Sequence, residues 1–158
     1  MAALCGKAGK SEPQAKEEKV VEINMLEKID YTGNGFQPVY TREWQLAYLN
    51  YDESLEPQYV NKIERHKLTD EAFILLEGKG YLVMAQKDGG KATFSVHDLE
   101  IGVIYNVPKG AWHFYSTGKD SKLLIVENTN THLKDVEYYE LNQEELKELQ
   151  GIFREMGI

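Results

Sequence analysis

From Trp44 to Glu127 the chain is built of short runs rich in Val, Ile, Tyr, Phe and Leu, interrupted at close intervals by turn residues. The interruptions are Gly78-Lys79-Gly80, Asp88-Gly89-Gly90, Pro108-Lys109-Gly110 and Thr117-Gly118-Lys119-Asp120. Runs this short cannot form ordinary helices, and glycine and proline break each one before a helical period develops. The rhythm predicts an all-β domain with strands at Trp44 to Asn50, Tyr59 to Leu68, Ala72 to Leu76, Tyr81 to Gln86, Ala92 to Val96, Val103 to Val107, Trp112 to Tyr115 and Leu123 to Glu127. About eight antiparallel strands suit a jelly roll or a related closed sandwich.

The period changes near the C-terminus. Leu146, Leu149, Ile152, Phe153 and Met156 recur at helical spacing, and the run from Glu144 to Glu148 reads as a solvated face. Asn142 is placed to cap this helix, with Glu145 completing a capping box and Gly157 at its end. Residues 1–22, without an aromatic side chain, read as a disordered tail, 23–141 as the barrel and 142–158 as a helix packed on it. Met25 stands just ahead of the folded pattern, so part of what precedes it reads as an appended leader.

Charge and cysteine content narrow the classes of partner. A formal charge of −8 repels phosphate backbones and anionic headgroups, which argues against nucleic acid and membrane surfaces. No apolar run approaches the ~20 residues of a membrane span. Cys5, the sole cysteine, permits neither an internal disulfide nor a cysteine-based zinc site, and a cytoplasmic protein is expected. Ala72-Phe73-Ile74-Leu75-Leu76 has no polar alternation, so both faces of that strand need cover. The C-terminal helix or a second subunit would provide it, and a homodimer is expected.

The chemistry concentrates around two histidines. Side chains two apart on a strand share a face, so Glu64 and His66 converge while Ile63, Arg65 and Lys67 point away. Beyond the Thr69-Asp70 turn the chain runs back, and Glu71 is expected beside them on the neighbouring strand, giving three candidate ligands from one hairpin. Ala111, His113 and Tyr115 share an inner face, which makes Tyr115 a candidate pocket residue; Trp112 and Phe114 pack outward. His97, His132 and Lys109 are assigned to the surface.

These residues resemble the two motifs of the cupin superfamily. The first is a histidine, four residues, a glutamate, six residues and a glycine, matched by His66, Glu71 and Gly78. The second is a glycine, five residues, Pro-x-Gly, two residues and a histidine, matched by Gly102, Pro108, Gly110 and His113. The stretch from Glu64 to Gly78 looks like small single-domain bacterial cupins without an assigned reaction. The resemblance covers roughly residues 44–128 and implies a cupin jelly-roll barrel holding a divalent metal, Mn, Fe, Ni or Zn, on Glu64, His66, Glu71 and His113.

The chain departs from the family pattern at three positions. Glu64 stands where metal-binding cupins usually carry a first histidine, Thr117 where an asparagine often ends the second motif, and Gln58 where a glycine often opens the first. Two ionised carboxylates would neutralise a divalent ion and weaken its Lewis acidity, so Glu64 counts against the family's dioxygenase chemistry. Should the metal use only His66, Glu71 and His113, Glu64 becomes a general-base candidate. The expected function is a metal-dependent isomerase or lyase acting on a small polar molecule, of sugar or hydroxy-acid type. The alternatives are a metal-dependent dioxygenase and a non-catalytic cupin that binds a small ligand.

Overall fold

The computed structural model describes residues 27–158, so the expected tail at 1–22 and the question of a leader before Met25 lie outside the described residues. Among the described residues there are ten strands: β1 Gly35–Thr41, β2 Trp44–Asn50, β3 Lys62–Arg65, β4 Glu71–Glu77, β5 Gly80–Asp88, β6 Lys91–Asp98, β7 Ile104–Val107, β8 Trp112–Thr117, β9 Lys122–Asn128 and β10 Glu137–Glu140. A single-turn helix α1 (Thr131–Lys134) precedes β10, and α2 (Gln143–Glu155) ends the fold. The strands form two five-stranded antiparallel sheets, ordered β1-β2-β9-β4-β7 and β10-β3-β8-β5-β6.

Strand alternation produces two hydrophobic cores. Inward side chains Ala47, Leu49, Phe73, Leu75, Leu123 and Ile125 of the first sheet meet Leu82, Met84 and Tyr115 of the second and fill the interior between them. The opposite face of the second sheet, with Ile63, Val83, Trp112 and Phe114, packs against Leu149 and Phe153 of α2. Trp112 and Phe114 therefore pack outward, as their alternation with His113 requires. The helix starts as its sequence predicts: Asn142 Oδ1 accepts from the backbone N–H groups of Glu144 and Glu145, and Glu145 Oε2 accepts from Asn142 N at 2.9 Å.

The structure corrects four expectations. The strand expected from Tyr59 to Leu68 is confined to Lys62–Arg65, because Pro57 sets a 3-10 turn over Pro57–Tyr59 and the chain turns a corner after Arg65. Glu145 is not solvated: it is fully buried, and its Oε1 accepts from Ala92 N at 2.7 Å while Tyr139 donates its hydroxyl to the same carboxylate. Glu71 does not lie on a hairpin with Glu64 and His66, since β3 pairs with β8 and β10 whereas β4 pairs with β7 and β9 in the opposite sheet. Finally, α2 covers the second sheet and not the outer face of β4, where Ala72, Ile74 and Leu76 remain half-buried. Among the described residues no helix is long and apolar enough to cross a membrane.

Candidate metal centre

The ligand candidates approach one point from both sheets. Glu64 on β3 is the cross-strand partner of both His113 on β8 and Tyr138 on β10, so these three side chains share the inner face. His66 follows one residue after β3, and Glu71 opens β4 on the facing sheet. All four of Glu64, His66, Glu71 and His113 are buried. The corner between them is held by loop contacts instead of a ladder. Gly110 N donates to the His66 carbonyl at 2.6 Å, and the Asp70 carboxylate accepts from Lys109 N and Asn106 Nδ2. These bonds join the turn of the first motif to the loop of the second.

The hydrogen bonds on the outer ring nitrogens fix what the histidines present to the site. His66 Nδ1 lies 2.6 Å from the carbonyl oxygen of Asp135, and His113 Nδ1 lies 3.1 Å from that of Ala111. A carbonyl can only accept, so each Nδ1 carries a proton and each neutral ring turns an Nε2 lone pair inward. Both Nε2 atoms face the same carboxylate oxygen, Glu71 Oε2, at 3.2 Å from His66 and 2.8 Å from His113. Three electron pairs converging on one buried point repel unless a cation or added protons lie between them. The donor set therefore fits a divalent metal ion, and orienting a ligand histidine through its other nitrogen is the arrangement such ions require.

A fifth group joins the four expected from the sequence. Glu127, inward on β9, is buried and belongs with His66 and Glu71 to one of the two triads among the described residues whose donor atoms lie within 4.8 Å of one another; Glu64, His66 and His113 form the other. Gln45 Nε2 donates to Glu127 Oε1 at 2.7 Å across the β2–β9 register. Burial, reinforced by the Glu71 charge, lifts the Glu127 carboxyl to about 7. Burial likewise raises Glu64 and the Tyr115 and Tyr138 hydroxyls, the two tyrosines responding also to the Glu64 charge. Glu71 moves the opposite way: burial would raise it, but hydrogen bonds from His113 and His66 hold it low.

The cavity is small. Phe36, Glu64, His66, Glu71, Tyr115, Glu127, His132 and Tyr138 line a space of about 50 Å³, which at ~30 Å³ per water takes an ion and the one or two oxygens of a small molecule that reach it. Tyr115 sits where its alternation with His113 puts it. His132 does not take the solvated position expected of it: α1 carries the ring to the cavity wall, 5.1 Å from the Phe36 ring and with Nδ1 3.4 Å from Gln45 Nε2. His97 stays at the surface beside Ser95, and Lys109 is exposed. Larger hollows of about 730 and 720 Å³ lie elsewhere on the molecule and contain no histidine.

Without a metal, protons must take the ion's place, and this gives the site a pH signature. Burial disfavours the charged His66 ring, but the hydrogen bonds to Glu71 and to the Asp135 carbonyl outweigh it and raise the ring from 6.5 to about 9. A pKa raised by folding contributes stability that is complete below 6.5 and lost as pH rises through 9. Glu127, raised to about 7, acts in the same direction at lower pH, while the depressed Glu71 contributes a constant amount across this window. The melting temperature of metal-free protein is therefore expected to fall between pH 6.5 and 9. Because a metal needs deprotonated ligands, the rise in melting temperature on adding it should grow over the same range. Calorimetry at four or five pH values, with and without metal, tests both trends.

No protein-family model matches the chain, and no curated protein matches it. Among solved structures it is similar to a cupin-2 domain protein from Shewanella frigidimarina, with 22% identity over 62% of this chain and 84% of that one at a TM-score of 0.43. A second similar structure is an RmlC-like cupin with a double-stranded β-helix fold from Methanocaldococcus jannaschii, at 13% identity, 69% and 96% coverage and a TM-score of 0.47. A third is the capsular polysaccharide assembling protein CapF from Staphylococcus aureus, at 14% identity and a TM-score of 0.50, covering 75% of this chain and 33% of that one. Two facing antiparallel sheets, with both histidine motifs delivering their side chains to one interior point, give this chain the fold of the cupin superfamily.

Proposed function

We propose that the protein is a metal-dependent cupin enzyme that moves a proton on a small oxygen-bearing molecule, of sugar or hydroxy-acid type, in an isomerisation or lyase reaction. The observation that carries this reading is the pairing of two inward Nε2 lone pairs with carboxylates on both sides of them. His66, Glu71 and His113, with Glu64 or Glu127 completing the set, would hold Mn, Fe, Ni or Zn. Such an ion supplies positive charge that acidifies a bound oxygen compound. If Glu64 and Glu71 are both ionised a divalent ion is neutralised, and burial keeps Glu127 protonated below about pH 7, so a third negative charge does not accumulate.

Glu64 is the proton-moving candidate. Burial raises its pKa, the direction that makes a carboxylate a stronger proton acceptor. Tyr138, its cross-strand partner, stands beside it on the inner face, where burial and the Glu64 charge raise the tyrosine hydroxyl. Tyr115 lines the cavity, and burial raises its hydroxyl.

The two-histidine, one-carboxylate core of His66, Glu71 and His113 supports a second reading as a dioxygenase. One experiment separates the two. Protein loaded with each metal is incubated in deuterium oxide with a panel of hydroxy-acids and sugars while NMR follows carbon-bound deuterium and an electrode follows oxygen. Proton exchange that falls ~10²–10⁴-fold in Glu64→Gln at unchanged metal content is the expected result. Exchange at the wild-type rate in that variant removes the role of Glu64, and Fe(II)-dependent oxygen uptake selects the dioxygenase.

A further inference from the structure

We propose that Lys62 is the anion-recognising residue at the mouth of the metal cavity, and that the molecule bound there carries an oxyanion, carboxylate or phosphate, at its end remote from the metal. This rests on the proposed function, since it names the class of small oxygen compound that the same site takes. Alternation along β3 puts Lys62 on the face of Glu64, two residues and about 7 Å away along the strand. Its Nζ stands 4.2 Å from the centroid of the Tyr138 ring. That ring lines the cavity and is 49% exposed, whereas Glu64, His66, Glu71 and Glu127 are buried, so Tyr138 belongs to the opening. The ammonium thus sits at the edge of the entrance, and its charge reaches Glu64, where it opposes the effect of burial.

Lys62 differs from the neighbouring cations in having no carboxylate. Arg65 and Lys67 both bind Glu137, and Lys122 binds Asp30. Glu140 is the register partner of Lys62, yet among the described residues no carboxylate forms an ion pair with it. A half-buried ammonium resting on an aromatic face keeps its N–H donors available to an incoming anion. No lysine or arginine lines the cavity itself, so inside it an oxyanion not held by a metal would meet only acids and neutral rings.

Size decides which end of the molecule meets Lys62. A space of about 50 Å³ takes only the oxygens that reach the ion, and the remainder must lie at the mouth. Room for it exists in the hollow of about 720 Å³ that Lys62 borders. The Phe114 ring on the wall of that hollow stacks on the cavity residue Tyr115 at 5.1 Å, so the two spaces are one layer of side chains apart. Of the two acids bordering the hollow, Asp52 is engaged by the Ser54 N–H and hydroxyl and Glu53 is exposed; Lys62 is the sole cation there. A neutral sugar would leave the ammonium unpaired, whereas a far-end oxyanion satisfies it.

Four probes test this in two pairs, each pair sharing one hydroxy-acid end: L-malate with its 4-amide, and D-3-phosphoglycerate with D-glycerate. Dissociation constants are read by titration calorimetry on the full chain as purified, with metal content determined beside them. Malate and phosphoglycerate are expected to bind at least ~10-fold more tightly than their neutral-ended partners, the gain from one charge-assisted hydrogen bond. The margin should shrink as ionic strength rises. Lys62→Met should abolish it at unchanged metal content, with Lys62→Gln as the second variant if Lys62→Met lowers the melting temperature. Lys62→Arg should keep it, as should Lys109→Met, which removes an exposed charge elsewhere. A margin in the malate pair alone assigns a carboxylate, and one in the phosphoglycerate pair alone a phosphate. Equal constants within both pairs, no binding of any probe, or a margin that survives loss of the Lys62 charge overturns the proposal. Deuterium exchange separates this from failure of the enzymatic reading: a Lys62-dependent margin without exchange removes the reaction and leaves the anion site, and exchange without a margin does the reverse.

Discussion

On the metal-centre reading, protein carrying His66→Ala and His113→Ala together is expected to fall from near one ion per chain to below ~0.1 after purification without chelator or affinity-column metal. The two rings supply the Nε2 donors, and the remaining carboxylates would attract a divalent ion without the geometry or the nitrogen ligands to hold it. The stability consequence is large: free metal at a thousand times its dissociation constant contributes about 4 kcal/mol to the folded state, and the variant forfeits this gain. Added metal should therefore raise the melting temperature of the wild type and leave the variant unmoved. Elemental analysis beside calorimetry reads both effects. A wild type that purifies and titrates without metal would turn the reading toward a cupin that captures a small ligand, whereas the identity of a bound ion decides whether oxygen consumption or proton exchange is assayed first.

Gly78→Ala should cost nearly as much for a reason unrelated to chemistry. This last residue of the first motif has φ +72°, and a Cβ built on it overlaps the Asp120 carbonyl and the Ser121 backbone nitrogen. The left-handed conformation costs a side-chain-bearing residue about 1–2 kcal/mol, and forcing a methyl into packed backbone costs about 1–3 more. Against a total stability of ~5–15 kcal/mol this is a major loss, and the melting temperature should drop by roughly 5–20 °C. Gly89, also at positive φ (+55°) but with nothing within 4 Å of its added Cβ, is the internal comparison: Gly89→Ala should cost only the conformational ~1–2 kcal/mol. Equal melting temperatures for the two variants would contradict the close contact. The motif glycine is thus a structural requirement, set by how tightly the 78–80 turn meets the loop before β9.

The barrel and most of its strands could be read from the sequence because alternation and turn residues are local signals. β2 runs from Trp44 to Asn50 as its pattern predicts, and α2 follows its capping box. What escaped was either weakly patterned or long-range. β1 contains Pro38 and a register shift, features tolerated at a sheet edge but disruptive of any strand signature. β10 is four residues, Glu-Tyr-Tyr-Glu, whose two tyrosines are the only hint of a strand. That Glu71 faces His66 from another sheet cannot be seen locally, because a corner and a hairpin use the same turn residues.

Glu127 was more accessible than that. It continues the inward stripe of Leu123 and Ile125, and Gln45 continues that of Ala47 and Leu49. An acid and an amide prolonging two apolar stripes are polar groups committed to an interior, which is a signal for a site even without a motif. Glu145 is the converse case. Its position in an acidic run suggested solvent, and only the packing of α2 against β6 shows that the same carboxylate that caps the helix also receives the Ala92 N–H.

The hydrogen bond from His66 to the Asp135 carbonyl has a consequence for biogenesis. Its two residues are 69 positions apart, and the Asp135 carboxylate also receives the backbone N–H groups of Lys67 and Leu68 at the same corner. At a translation rate of about 5–20 residues per second, Glu64, His66 and Glu71 emerge from the ribosome some 3–14 s before the segment that locks the imidazole in its ligand tautomer. A metal held by these donors would therefore meet its finished ligand geometry only at the end of synthesis, after the chain beyond β9 has closed over the site.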